Sequence, residues 1–416
     1  MASRMSTAMQ TAPQNFIDTG PETHSLFPKA VSDIRAWVLY EKPEEDLYCI
    51  GSLERDKYIS VPASKVPLVL NFVAMLDGNR SLETIGTDLE RKYGQKADLL
   101  QLYQLLSSAN LIESPAPDKI FQGEFRRFSF DLLVLNTRRF FGAAQPAAKR
   151  SIKPLFLFTL IIFLLGVFSV NDQFLSSQNI FMVGQSFLLG YIVLAVGSLF
   201  SLLCHELAHA FVASAHGAVT RTIRVALYMG FIPYFYTEIA GMYTLKPPER
   251  IRIWLAGSYA NLILGCLGLV VFRWWGPLLP QEASQIIIKL SLANFFTIVG
   301  NLSPLMPTDG YFIVSTLLKQ INIRTNALFE FLKWIRGEKH QLRSWILIYF
   351  LLTGVIILAM LGMQVRWLAG IFNELFTGQL SAASFQPQLY FLIFIGLALI
   401  RAAGMFFSKR MKSHRS

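Results

Sequence analysis

Two rhythms of apolar residues divide this chain. From Arg35, apolar and polar positions alternate over short runs at Ala36–Tyr40, Leu47–Ile50 and Tyr58–Val61, separated by charged turns. A period of two predicts strands. Longer stretches follow: Pro62–Leu76 ends at Asp77-Gly78, Ser81 can cap a helix through Tyr93-Gly94, and Ala97–Leu111 closes the unit. Those punctuation residues predict three helices. The pattern gives a disordered tail over 1–24, a winged-helix-like α/β domain over 25–115, and a linker over 116–153 containing Pro117 and Pro146.

Beyond residue 153 the rhythm gives way to long apolar runs. Pro154–Val170, Phe181–Ala215, Ile253–Phe272, Ile286–Leu302 (continuing past a break to Leu318), Trp345–Met363 and Tyr390–Phe407 each approach or exceed the length that crosses a bilayer. The expected fold class is a polytopic α-helical membrane protein of about six transmembrane helices, the membrane domain covering 154–416, behind a small α/β winged-helix-like domain. Between the second and third spans, Val219–Tyr228 and Tyr234–Tyr243 alternate with aromatics around Gly230 and Pro233, which predicts a hairpin.

Charge sharpens this division. The formal net charge is +11, but residues 1–134 carry 14 Lys/Arg against 18 Asp/Glu, whereas 135–416 carry 24 against 9. The basic excess sits beside the apolar runs, so no basic stripe marks a nucleic-acid surface. Segments 135–153, 216–252, 318–343 and 409–416 hold twenty Lys/Arg, while the opposite loops hold only Arg273 and Arg366. That asymmetry places both termini on the cytoplasmic side of a cell (plasma or inner) membrane. Cys49, Cys204 and Cys266 are scattered, without the spacing of a disulfide framework.

Ionisable groups inside apolar spans are costly and are functional candidates by default. After residue 150 the acids are Asp172, Glu206, Glu238, Glu249, Glu282, Asp309, Glu330, Glu338 and Glu374, and only Glu206 and Asp309 lie squarely within apolar surroundings. Glu206 belongs to His205-Glu206-Leu207-Ala208-His209. Four residues apart on a helix, the two imidazoles share a face and can supply two corners of a zinc site, with the glutamate placed to take a proton from water. With 6 His in 416 residues, the chance occurrence of this pattern is about 0.003, so the motif is specific. Two histidines hydrogen-bonded between helices are the alternative. Asp309 lies in Asn301-Leu302-Ser303-Pro304-Leu305-Met306-Pro307-Thr308-Asp309-Gly310, where two prolines and a glycine should unwind a span. Unwound backbone at membrane depth is tolerated where it lines a watery cavity. Glu238, in the expected hairpin, is either an interfacial acid or an alternative ligand; His216 reads as a helix-end residue, and His24, His340 and His414 as surface groups.

Three elements together resemble the site-2 protease family of intramembrane metalloproteases: the helix-borne HExxH at His205–His209, Gly257-Ser258-Tyr259-Ala260-Asn261, and the NxxPxxxxDG element from Asn301 to Gly310. Thr308 stands where the family usually has Leu, and Ser258 where Pro is frequent. The resemblance covers about 181–320 and implies His205, His209 and Asp309 as ligands of Zn2+, Glu206 as general base, and Asn261 and Asn301 as groups that orient substrate or stabilise an oxyanion. The element order over 25–115, with Leu76-Asp77-Gly78-Asn79-Arg80-Ser81-Leu82, resembles PqqD-like domains, which implies capture of a leader peptide on a sheet edge. The combination implies an intramembrane zinc metallopeptidase that matures a ribosomally made peptide, with a peptide-modifying enzyme or exporter as partner. Regulated cleavage of a membrane-anchored regulator, and a non-proteolytic export accessory or metal-binding scaffold, are the rival expectations.

Overall fold

The structure, a computed structural model, describes residues 9–10, 27–94, 98–113, 129–170, 182–228, 232–302 and 308–338, together with 355, 358 and 362. The expected fifth and sixth spans fall outside the described segments. Among the described residues, four helices are long and apolar enough to cross a membrane: Arg138–Phe168, Leu188–Ala215, Pro247–Leu278 and Gln281–Asn301. The described fold is mostly helical, with small sheets.

The N-terminal unit holds β1 (Met9–Gln10), β2 (Lys29–Ala30), β3 (Ile34–Tyr40), β4 (Leu47–Ser52), β5 (Lys57–Pro62), α1 (Val66–Met75), α2 (Leu82–Tyr93), α3 (Leu99–Ser108) and β6 (Ile112–Glu113). Local chemistry sets these limits. The Ser81 hydroxyl accepts from Thr84 N–H, Gly94 ends α2 in the left-handed region at φ 66°, and Asp98 accepts from Gln101 N–H to open α3. The strands run in the order β1-β5-β4-β3, the last three antiparallel.

Because side chains alternate along a strand, this sheet has two distinct faces. Ile50 and Ile59 join Phe72, Ile85, Leu89 and Leu106 in a core against the three helices. Their neighbours Cys49 and Tyr58, with Leu39 and Tyr40, point the other way and pack on Tyr243 and Ile321 of the membrane half. Polar ties reinforce the contact: Gly241 N–H donates to Asp56 Oδ1 at 3.0 Å, Arg221 Nη2 to the Leu53 carbonyl at 2.7 Å, and Arg250 Nη2 to the Leu39 carbonyl at 2.7 Å. The unit is docked on the helices.

The stretch expected to be a linker is structured in its second half. β7 (Ser129–Asn136) pairs with β8 (Val219–Tyr228), which pairs with β9 (Ile232–Ala240), in the antiparallel order β7-β8-β9. The expected hairpin is therefore present, with a third strand added. The first long helix, α4 (Arg138–Phe168), begins well before Pro154 and carries Pro146 and Pro154 inside it. Each proline removes one backbone hydrogen bond, and a helix of 31 residues keeps its course through both. Phe156, Leu157, Phe158, Ile161 and Leu164 of α4 face outward.

Helices α5 (Phe187–Ala215), α6 (Pro247–Trp275) and α7 (Gln281–Asn301) pack on one another and on α4, followed by the short α8 (Asp309–Leu317) and α9 (Ile323–Ile335). Small residues permit the close approach. A Cβ on Gly166 would lie 2.4 Å from Cys266 Cβ, and one on Gly268 would lie 2.7 Å from Ser291 Oγ.

The docking face carries a titratable group. Burial raises the Asp56 carboxyl above its ordinary value, opposed by the Gly241 N–H and the Arg221 charge. A folded-state pKa above the unfolded one means a contribution present at low pH and lost as pH rises through the folded value. The stability of the wild-type chain relative to Asp56→Asn should therefore fall as pH rises above about 4, the ordinary carboxyl value. Thermal midpoints of both chains measured across that rise check it, and a wild-type chain that gains on the variant with pH would contradict the assignment.

Candidate metal centre

Helix α5 supplies the first two residues of the centre. Ser186 opens it, its hydroxyl accepting from Leu189 N–H, and the helix runs unbroken through His205 and His209. Both imidazoles are buried, at 2% and 0% exposure. Their rings stand 4.6 Å apart at 79°, with the two Nε2 atoms 3.0 Å from each other. Helix α8 brings Asp309, also buried, so that its Oδ2 lies 2.9 Å from His205 Nε2 and 3.1 Å from His209 Nε2.

The turn before α8 makes this approach possible. Thr308 is the extended residue before the helix, and a Cβ on Gly310 would lie 2.1 Å from the Leu302 carbonyl oxygen. Only glycine lets the new helix abut the end of α7 so closely. Trp254 of α6 stacks on Phe312 at 4.6 Å and holds α8 from the other side.

The proton arrangement decides what this trio can hold. His209 Nδ1–H donates to the Ile253 carbonyl at 2.6 Å, and His205 Nδ1–H donates to Asn261 Oδ1 at 2.7 Å. A carbonyl oxygen only accepts, so each Nδ1 carries its proton, and a neutral ring presents its lone pair at Nε2. The polarity of Asn261 is set in turn. Its Nδ2 donates to Ser201 Oγ and, at 2.9 Å, to Asn294 Oδ1, while Asn294 Nδ2 is spent on the Leu290 carbonyl at 2.8 Å. Three atoms of metal-ligand type, two nitrogens and one carboxylate oxygen, thus converge within 3.1 Å.

Such a group can be held by a proton on an imidazole or can hold a metal ion in its place. Zinc bonds of about 2.0–2.1 Å in a tetrahedron put ligand atoms about 3.3 Å apart, a few tenths beyond the spacing found here. The donor set fits a divalent ion, with His205, His209 and Asp309 as ligands. Both histidines show the outer hydrogen bond that ligating imidazoles need. Gly257 completes the fit, since a Cβ there would lie 2.4 Å from His205 Nε2 and 2.5 Å from His209 Nε2.

Glu206 is buried beside the trio, and its Oε2 accepts from Thr237 N–H of β9 at 2.7 Å. Thr237 Oγ1 also donates to the Glu206 backbone carbonyl at 3.1 Å. The edge of the sheet thereby orients the carboxylate of the helix.

Of the residues expected at the site, the structure brings together His205, His209 and Asp309, with Asn261 touching His205, while the Glu206 carboxylate lies outside that group on Thr237 of β9. Asn301 ends α7 half-buried, and among the described residues no hydrogen bond joins it to the centre. Glu238 lies elsewhere on the sheet, accepting from Thr222 Oγ1 at 2.9 Å and facing Arg224 at 3.4 Å. Sequence reasoning missed Ser201, Asn294, Thr237 and the Ile253 carbonyl. Asn294 carried a usable signal, a lone amide inside an apolar run, but only acids had been weighed as costly there. Comparisons with family models, curated proteins and solved structures find no match to this chain.

Two substitutions that replace no ligand should impair metal binding at the centre. Gly257→Ala should abolish stoichiometric metal by displacing both imidazoles, and Asn261→Ala should weaken binding by about 10–100-fold by freeing one. Metal analysis of the purified chain after dialysis against graded chelator checks both. Retention of metal by Gly257→Ala would refute the placement.

Proposed function

We propose that this chain is an intramembrane zinc metallopeptidase of the site-2 protease type. The observation that carries the reading is Glu206, a buried carboxylate held beside a two-histidine, one-aspartate donor set without being part of it. A storage site or metal scaffold needs the ligands but has no use for the second acid. A zinc ion bound there supplies Lewis acidity, polarising a carbonyl and making water a better nucleophile.

The protein's own groups do the rest. Glu206 takes a proton from the attacking water and returns it to the departing amine, so atoms and charge balance over the hydrolysis. Thr237 fixes one of its oxygens and hence its direction. Asn261 is a positioning residue whose amide is committed to His205, Ser201 and Asn294. β9 ends the β7-β8-β9 sheet beside α5, so an extended substrate laid along that edge would pass the carboxylate.

The same reading takes the finer architecture with it. Six spans place both termini in the cytoplasm of a cell membrane, on the charge asymmetry of the loops. Residues 25–115 form a winged-helix, PqqD-like unit that reads a leader peptide, so the substrate is a ribosomally made precursor and a modifying enzyme or exporter is the working partner. Support for that role comes from the unit being docked on the helices near the centre.

Glu206→Gln should lower zinc-dependent cleavage of an unfolded reporter protein by about 10²–10⁴-fold while metal content stays near one per chain. Cleavage by detergent-solubilised protein, scored on gels beside metal analysis, reads both quantities. Unchanged turnover in that variant would sink the peptidase reading.

A further inference from the structure

Where the N-terminal unit meets the helices, a partly enclosed pocket is lined by Tyr40, Tyr243, Trp254, Tyr311, Ser315 and the Arg250 side chain, among others. Arg250 is 1% exposed, among the largest fully buried side chains of the described residues. Its guanidinium lies 4.8 Å over the Tyr40 ring, and its Nη2 donates to the Leu39 carbonyl. Among the described residues its Nε and Nη1 have no hydrogen-bond partner. None of the described residues lining the pocket is acidic.

A guanidinium brings five N–H donors and a permanent charge. One carbonyl and one aromatic face compensate part of the desolvation, and removing a charge from water without a counter-charge costs several kcal/mol. Unspent donors on a buried cation that faces a pocket mark a place for an anion. The chemistry narrows which one. A single positive charge balances a monoanion rather than a phosphate dianion. Aromatic side chains line much of the pocket, with Tyr40 under the guanidinium, and a flat carboxylate packs against such rings more readily than a tetrahedral anion.

We propose that this pocket is a carboxylate-binding site in which Arg250 receives one carboxylate of a peptide, either an acidic side chain or a free C-terminus. Its place in the fold ties it to the metal centre. Arg250 precedes Ile253, the carbonyl partner of His209, by three residues on α6, and Ser315 follows Asp309 by six residues on α8. At 1.5 Å per residue those separations are about 5 and 9 Å along the helices. A carboxylate in the pocket therefore sits a few peptide residues from the centre. The peptide source rests on the peptidase reading; the anion site itself does not.

The test reads binding by the full-length, detergent-solubilised chain as a shift of its thermal midpoint at constant ionic strength. Acetyl-Tyr-Ala-Glu-amide is compared with its Gln counterpart, acetyl-Tyr-Ala-Leu with its C-terminal amide, and inorganic phosphate serves as a separate arm. The acids should raise the midpoint saturably and the amides should not. The first pair reports an acidic side chain and the second a free C-terminus, and a response in either supports the site. Arg250→Lys should weaken the response by about tenfold or more, because charged hydrogen bonds are lost while the charge stays. Arg250→Met should abolish it and leave the peptide-free midpoint level or higher, since an unpaired buried charge is gone. Equal responses to acids and amides, a response retained in Arg250→Met, or phosphate acting as strongly as the acids would each overturn the proposal. Should both variants fail to fold, the acid–amide comparison on the wild-type chain still decides it. Cleavage of the reporter protein is scored separately, so carboxylate binding without any cleavage would leave this site standing and count against the peptidase reading alone.

Discussion

Everything at the centre depends on which way two imidazoles turn. Each Nδ1 of His205 and His209 is tied to an oxygen that can only accept, so the Nε2 atoms are the ones that face Asp309. At 2.9 and 3.1 Å from its carboxylate, those atoms are held by positive charge, carried by an imidazolium or by a bound metal ion. The outer bonds therefore do more than hold rings still: they decide which nitrogen meets the cavity. Their own anchors reach into three helices, through Ile253 and Asn261 on α6, Ser201 on α5 and Asn294 on α7.

Much of this was legible in the residues. The strands Ala36–Tyr40, Leu47–Ile50 and Tyr58–Val61 appear within a residue or two, because a half-buried strand writes its alternation directly into the chain. The ligands were legible because carboxylates are so costly in apolar spans that only two candidates existed. Other features left weaker marks. The linker prolines suggested breaks, yet Pro146 lies within a continuous helix, and β7 announces itself only through a partner 86 to 99 residues later in the chain. Pairings of that kind are non-local and have no signature in a single segment. Asn261 was singled out by its motif, but its bond to His205 needed three dimensions.

Small residues connect the two levels of description. Gly257 and Gly310 look alike in a sequence, and each admits something different: the first admits two imidazole edges, the second a carbonyl oxygen of the preceding helix. Both serve the same few ångströms of space. The helices are drawn together where side chains are absent, and that void is where the donor atoms meet.

The three-stranded sheet has a consequence for connectivity. β7 leads out of the N-terminal segment, β8 carries the Arg221 that grips Leu53, and β9 carries the amide that steers Glu206. A continuous path of hydrogen bonds thus runs from the N-terminal unit, through Arg221 and across the β8–β9 ladder, to a single carboxylate.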